Sequence, residues 1–349
     1  MALPTTTIGA YPKPAYVAMP DWFRAGSTTE SDLTEAYNEY LRSRHRDSQE
    51  ILDQATREVV AEQVSLGIEI PTDGEIRREN YIHYHCRQLA GFDFENLTEK
   101  SMRDGAWKAH VPTITGPIEA PRRFLVRDWQ VAQGASKRPV KITLPGPLTI
   151  AHSVADQHYF DERALGVALA AAINFEVLAL AEAGCEYIQI DEPVFARDPA
   201  QAIAFGLDHV EHCFHNVPPQ VTRTLHICCG YPDQVDSEDY PKADPSAYFE
   251  LAEALDYSSV QAVSIEDAYR PNDLGLLEKF RKTQVILGVI AIARTQVENE
   301  EEIMARLRAA LHHIDRPRLL VGPDCGLGLL DRRLVVQKLK NMVTAAQTV

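Results

Sequence analysis

Two short runs of the chain carry histidine and cysteine at the spacing of metal ligands: HICCG (226–230) and GPDCGL (322–327). In a strand the side chains alternate between faces, so the His-x-Cys pair His226 and Cys228 shares one face, while Cys229 points away and packs. A third run, SIED (264–267), adds a carboxylate at Glu266. Imidazole, thiolate and carboxylate are all ligands that zinc accepts, at about 2.0–2.3 Å. His226, Cys228, Glu266 and Cys325 therefore make up a candidate tetrahedral zinc set. Taken singly, each cysteine also reads as a small buried hydrophobe and His226 as a hydrogen-bonded core histidine. Cys86, Cys185 and Cys213 have no partner pattern, and for them that reading stands. A free thiol, with a pKa near 8.5, is mostly protonated at neutral pH, whereas a metal-bound thiol is deprotonated and nucleophilic. The chemistry on offer is activation of a small thiol.

The elements that must position these residues alternate between short apolar runs and longer helical stretches. Strand-like runs cover 5–10, 67–75, 140–147, 187–193, 223–230, 262–267, 285–292 and 318–326. Most are continuously apolar, as parallel strands covered on both faces are, and each ends in Gly, Pro or a polar cluster. Apolar residues at three- and four-residue spacing mark helices over 30–66, 162–183, 246–256, 272–282, 298–314 and 330–347, the first opened by a cap at Thr29 or Ser31. Eight strands, each followed by helix, predict a (β/α)₈ TIM barrel, formed by residues 1–349 as one domain. An open doubly wound sheet is the runner-up, but no GxGxxG loop follows the first strand. Residues 76–139 break the alternation and read as an insertion between strands 2 and 3, over the barrel mouth. In a barrel all the strand C-termini meet on one face. There Glu75 ends the second strand, Asp191 and Glu192 the fourth, and the four candidate ligands the fifth, sixth and eighth.

The bulk numbers narrow the class. Thirty-five basic and fifty acidic residues leave a formal charge of −15, which disfavours nucleic acid and anionic membrane surfaces as partners. The opening residues have no basic-then-apolar signal pattern, and the most apolar stretch, within 162–183, has the amphipathy of a core helix. Six cysteines are too few for a disulfide framework in a chain of 349 residues, so a reducing cytoplasm, where thiolates persist, is the expected location. The run 77–87, with Arg77 and Arg78, is a candidate for an anionic substrate tail, as is Arg294; a solvated loop is the alternative. His212 and His215 flank Cys213 on a predicted helix, and the strand-end set already accounts for a metal.

These motifs resemble those of cobalamin-independent methionine synthase, in its catalytic C-terminal barrel. HICC, SIED and GPDCGL are similar to that family's metal-binding motifs, TTTIGAYP (5–12) to its first-strand motif, DGE (73–75) to its Glu-bearing loop and QIDEP (189–193) to its fourth-strand motif. The resemblance implies zinc on His226, Cys228, Glu266 and Cys325. It implies a thiol held at its polar end by Glu75 and Asp191, with Ile8, Ala10 and His152 also facing the substrates. Ala10 stands where the family has a Ser, His152 where it has a Trp against the folate, and Ala291 and Ala293 where it has an Asp-x-His. The chain is therefore expected to be a divergent S-alkyltransferase, like the short methionine-synthase-like proteins and epoxyalkane:coenzyme M transferase. Its partners would be a small thiol and an alkyl donor, whether a folate, a corrinoid protein or another activated compound. Thiol addition to an epoxide and a purely structural zinc site are the alternatives.

Overall fold

The computed structural model describes residues 2–24, 30–43, 48–102, 107–232, 234–237 and 242–349. Six parallel strands form one sheet in the order Lys141–Pro145, Tyr187–Asp191, Thr222–Ile227, Ala262–Ile265, Gln284–Ile290 and Leu319–Pro323. Three further parallel bridges close it: Thr5 to Val321, Thr6 to Ile70, and Thr72 to Lys141. The segments around residues 5–8 and 70–72 are thus the first and second staves of an eight-stave barrel. They lack long ladders because side chains take over part of the pairing. Thr7 Oγ1 donates to Gln63 Oε1 at 2.6 Å, Thr72 N to Thr7 Oγ1 at 3.1 Å, and Thr72 Oγ1 to Gly9 O at 2.7 Å. Strand interiors are fully buried, as parallel strands require. Ile8, Ile70, Ala262, Ile286 and Leu320, with Tyr187 against them, form a separate apolar cluster from the main core between staves and helices.

Helices ring the barrel. Glu162–Ala183 starts where Asp161 accepts from the backbone of Arg163 and Ala164, and stops at Gly184, whose φ of 100° suits glycine. By length and apolarity alone this helix could cross a membrane, yet it packs against Leu207–Cys213, Leu125–Gln133 and Pro147–Ser153. The stretch expected as one helix over 30–66 is two, Glu30–Ser43 and Ser48–Ser65; residue 29, an expected cap, lies outside the described residues. The helix expected over 272–282 is only the 3₁₀ turn Leu274–Lys279, opened by Asp273, whose carboxylate accepts from Gly275 N at 2.9 Å. The 76–139 insertion also resolves into parts. Ala90–Met102 and Trp107–Glu119 form an antiparallel hairpin, joined by Ala155–Asp156 as a parallel third strand. Leu125–Gln133, by contrast, packs between Ser48–Ser65 and Glu162–Ala183 and belongs to the ring.

Candidate active site

His226, Cys228 and Cys325 meet at the mouth of the barrel, with their ligand atoms all within 4.8 Å of one another. Each is placed by its own strand end and by a neighbour. Ser264 Oγ lies 3.0 Å from His226 Nδ1, which leaves Nε2 turned toward Cys325 Sγ at 3.3 Å. Such a partner on the far nitrogen is what a metal-binding imidazole needs to hold its orientation. Cys325 is set by Asp324, whose carboxylate accepts from the backbone N–H groups of Asp267, Ala268 and Tyr269 at 2.8–2.9 Å. This carboxylate clamps the eighth-strand loop to the sixth. Tyr231 donates to Gly326 O at 2.9 Å from the other side. Of the two thiols, Cys228 is held well below the ordinary thiol range, chiefly by the hydrogen bond from Cys325, whose own thiol is pushed up in return. A buried imidazole and two thiols with their ligand atoms this close are a donor set that a soft divalent cation can gather by displacing the thiol protons. The residues fit zinc.

Glu266 does not join this trio in the structure. Its Oε2 is paired with the Lys242 ammonium and its Oε1 accepts from Cys229 N at 3.1 Å. Burial pushes its carboxyl up while Lys242 works in the opposite direction. Lys242 carries no motif that would have marked it in the sequence, and it holds the fourth expected ligand to one side.

A cavity of about 430 Å³ opens beside the trio, and Ile8, Ala10, Glu75, His152 and Asp191 all line it. Glu75 has a φ of 55°, a left-handed conformation uncommon for a side chain of this kind and of the type that clusters at functional sites. Its Oε1 accepts from Thr143 Oγ1 at 2.7 Å and from Arg78 at 3.2 Å. Asp191 accepts from Gln189 Nε2 at 2.7 Å, and the same amide nitrogen reaches Ile8 O at 2.7 Å. Burial pushes the Asp191 carboxyl up to about 7, with His226 opposing and Glu75 adding to the rise. His152 forms an edge of the cavity and is tied to Gln201 at 3.0 Å and Glu162 at 3.3 Å.

Other candidates fall elsewhere. Glu192 turns back to cap the helix Pro147–Ser153, accepting from Leu148 N, Thr149 N and Thr149 Oγ1 at 2.6–2.9 Å. Arg77 pairs with Asp53 and Asp128, Arg78 with Asp73 and Glu75, and Arg294 lies over the Tyr269 ring; none of the three lines the cavity. The cations that do are Lys100 and Arg197, which sequence reasoning missed. Lys100 reaches in from the hairpin and is fixed to Ala151 O and Val154 O at 3.0 and 2.6 Å. Tyr81, within the candidate run 77–87, lines the cavity too, and the aromatic wall of Trp22, Phe23 and Tyr231, whose ring centroids lie 5.6–6.3 Å apart, was missed. Only residue type could have hinted at these, since an inserted hairpin and short turns carry no pattern that marks residues facing the cavity.

A parallel barrel with an imidazole, two thiols and two carboxylates around one cleft at its mouth has the layout of a barrel enzyme that handles a small thiol. Residues 3–202 and 244–348 match the family described as cobalamin-independent synthase, catalytic domain. The chain belongs to that family, and so to the enzymes that transfer a methyl group to a thiol. Among its relatives, a methionine synthase of Sulfolobus acidocaldarius is 29% identical over 98% of this chain and 90% of its own. One from Thermococcus kodakarensis is 29% identical over 99% and 93%. The solved structure of a B12-independent methionine synthase from Shewanella sp. W3-18-1, in complex with selenomethionine, superposes with a TM-score of 0.86. It is 26% identical and covers 100% of this chain and 98% of that one.

Proposed function

We propose that this chain is a zinc-dependent methyltransferase whose acceptor is a small amino-acid thiol and whose donor is not a standard folate. The observation that carries the reading is the convergence of His226, Cys228 and Cys325 with Glu75 and Asp191 on one cavity. His226, Cys228 and Cys325 would hold the zinc, with Glu266 a fourth ligand once released from Lys242. When bound there, zinc would supply deprotonation of the incoming thiol. The protein's own residues do the rest. Glu75 and Asp191 give the acceptor's ammonium group two carboxylates and so hold the acceptor while sulfur's lone pair attacks the methyl carbon. The bond from that carbon to the donor's heteroatom breaks, and its electron pair leaves with the donor. The Shewanella protein's complex with selenomethionine, a methylated selenium amino acid, supports an amino-acid acceptor.

On the donor side, the cavity edge carries the imidazole of His152, held at Nε2 by Gln201 and Glu162, in place of a larger aromatic ring. Ala291 and Ala293 are buried and carry no acid toward the cavity. Both observations support a donor other than a methylated folate. The family's description as cobalamin-independent gives no support to a corrinoid carrier. An anionic acceptor, as an epoxide-opening relative of coenzyme M type would use, meets two carboxylates and is disfavoured. The test is product analysis by mass spectrometry with homocysteine, cysteine and an uncharged thiol, each against a panel of methyl donors. Methylation of the amino-bearing thiols supports the proposal; methylation of the uncharged thiol alone contradicts it.

A further inference from the structure

The end of the barrel opposite the site holds a second concavity, of about 480 Å³, where the fifth, sixth and seventh staves begin. Arg223, Lys282 and Arg318 line it, and among the described residues no Asp or Glu does, in a chain whose net charge is −15. Its cations come from three separate segments, so their meeting is a product of the fold. Among the described residues the Arg223 guanidinium has no hydrogen-bond or ion-pair partner, and its Nε is buried with no acceptor. A buried N–H left unpaired is uncommon enough to call for an explanation. Lys282 Nζ has only the neutral carbonyls of Tyr257 and Ser258, at 3.4 and 3.2 Å. Arg318 is fixed in place by Phe280 O and by Asp315, at 3.0 Å from the latter.

Acids beside the groove are engaged elsewhere or, as Asp315 is, with Arg318. Asp256 accepts from Lys282 N and Thr283 N at 3.1 and 3.0 Å, and Glu211 accepts from Ser259 N at 2.5 Å. Neither carboxylate bonds to Arg223. A planar guanidinium with free N–H groups, flanked by an ammonium and a second guanidinium, matches the oxygens of a phosphate group. The volume exceeds what one phosphate fills.

We propose that this groove is a binding site for a ligand bearing a diphosphate-like polyanion, free or carried on a small metabolite. The site is independent of the methyl-transfer reading, and its test does not use activity. Full-length protein is titrated calorimetrically, at low ionic strength, with inorganic phosphate, inorganic pyrophosphate and ADP. One-to-one binding of pyrophosphate is expected, tighter than that of phosphate and weakened by added salt. Arg223→Gln is expected to weaken it at least about tenfold, the loss of a charge-assisted bond. Lys282→Gln should also weaken it, and serves if Arg223→Gln fails to fold. Arg42→Gln, a charge change in an exposed pair with Glu95, should leave the affinity as it was. ADP binding as tightly as pyrophosphate points to free polyphosphate as the ligand; tighter ADP binding points to a phosphorylated metabolite. No saturable binding of pyrophosphate up to about 10 mM, or equal affinity in wild type, Arg223→Gln and Lys282→Gln, overturns the proposal.

Discussion

Replacing Gly9 by Ala tests the acceptor side of the cavity through a single contact. A Cβ at Gly9 would lie 2.7 Å from Glu75 Oε1 and 3.3 Å from its Cδ, with Thr143 Cγ2 next at 3.7 Å. The backbone of Gly9 is not in the left-handed region, so alanine is not strained there, and its smaller unfolded-state entropy would by itself stabilise by about 0.4–1 kcal/mol. Against this stands a carboxylate that cannot step aside freely, because Thr143 and Arg78 both hold the crowded oxygen. Overpacking of this kind costs about 1–3 kcal/mol, so the net effect on stability is small to moderate destabilisation. The larger effect falls on the acceptor. Moving Glu75 loses a charge-assisted bond to the substrate's ammonium, about 1.5–3 kcal/mol, or roughly 10–100-fold in thiol affinity. The assay is thiol affinity by calorimetry, together with zinc content, which should not change because Gly9 touches none of the metal trio. In a Glu75→Ala background, Gly9→Ala should have no further effect on thiol affinity, since the atoms it collides with are gone. Wild-type thiol affinity in Gly9→Ala, with Glu75 shown to have moved, would refute the placement of the acceptor at Glu75.

Asp191→Asn and Glu75→Gln should weaken amino-bearing thiols by roughly tenfold or more while leaving an uncharged thiol and the zinc content unaffected, as read by a binding panel; equal losses across the panel would mean the acids serve the barrel alone. With methyltetrahydrofolate and homocysteine, turnover should be about 10²–10⁴ below that with the true donor, for want of a proton donor at 291 and 293; robust steady-state turnover with that pair would restore ordinary folate use. Burial, assisted by Arg87, lowers His83 to about 3. Its folded value lies below its unfolded value of 6.5, so its contribution is present above pH 6.5 and is lost as pH falls from 6.5 toward 3. The loss is on the order of 4–5 kcal/mol at the acid end. His83→Gln should flatten the wild-type decline of the urea midpoint across that window, and an unchanged pH profile would contradict it.

The barrel was legible because its strands are buried on both faces, so that a run such as 285–292 is free of charged and polar side chains, while 187–193 closes on Asp, Glu and Pro. Strand ends then put Glu75, Asp191, His226, Cys228 and Cys325 on one face without any knowledge of contacts. What escaped were features made by long-range pairing. Whether Glu266 faces a metal or Lys242 depends on a loop conformation that alternation does not determine. Asp324 looks like a ligand neighbour in sequence, yet three backbone amides of the sixth-strand loop claim it. Lys100 sits on a hairpin whose docking against Ala151 and Val154 is a tertiary contact with no local signature. The insertion was too generous at its far end, since Leu125–Gln133 has the amphipathy of a ring helix and packs as one.

X-ray absorption at the zinc edge, on purified protein with and without homocysteine, tests the central claim most directly. About one zinc per chain is expected, with two sulfur ligands from Cys228 and Cys325 and one imidazole nitrogen from His226. Adding the thiol should raise the sulfur count to three, and Cys325→Ser should lower both metal content and sulfur count. Protein that holds no zinc, or a zinc whose sulfur count is unmoved by the thiol, would contradict the claim that this cluster activates the acceptor.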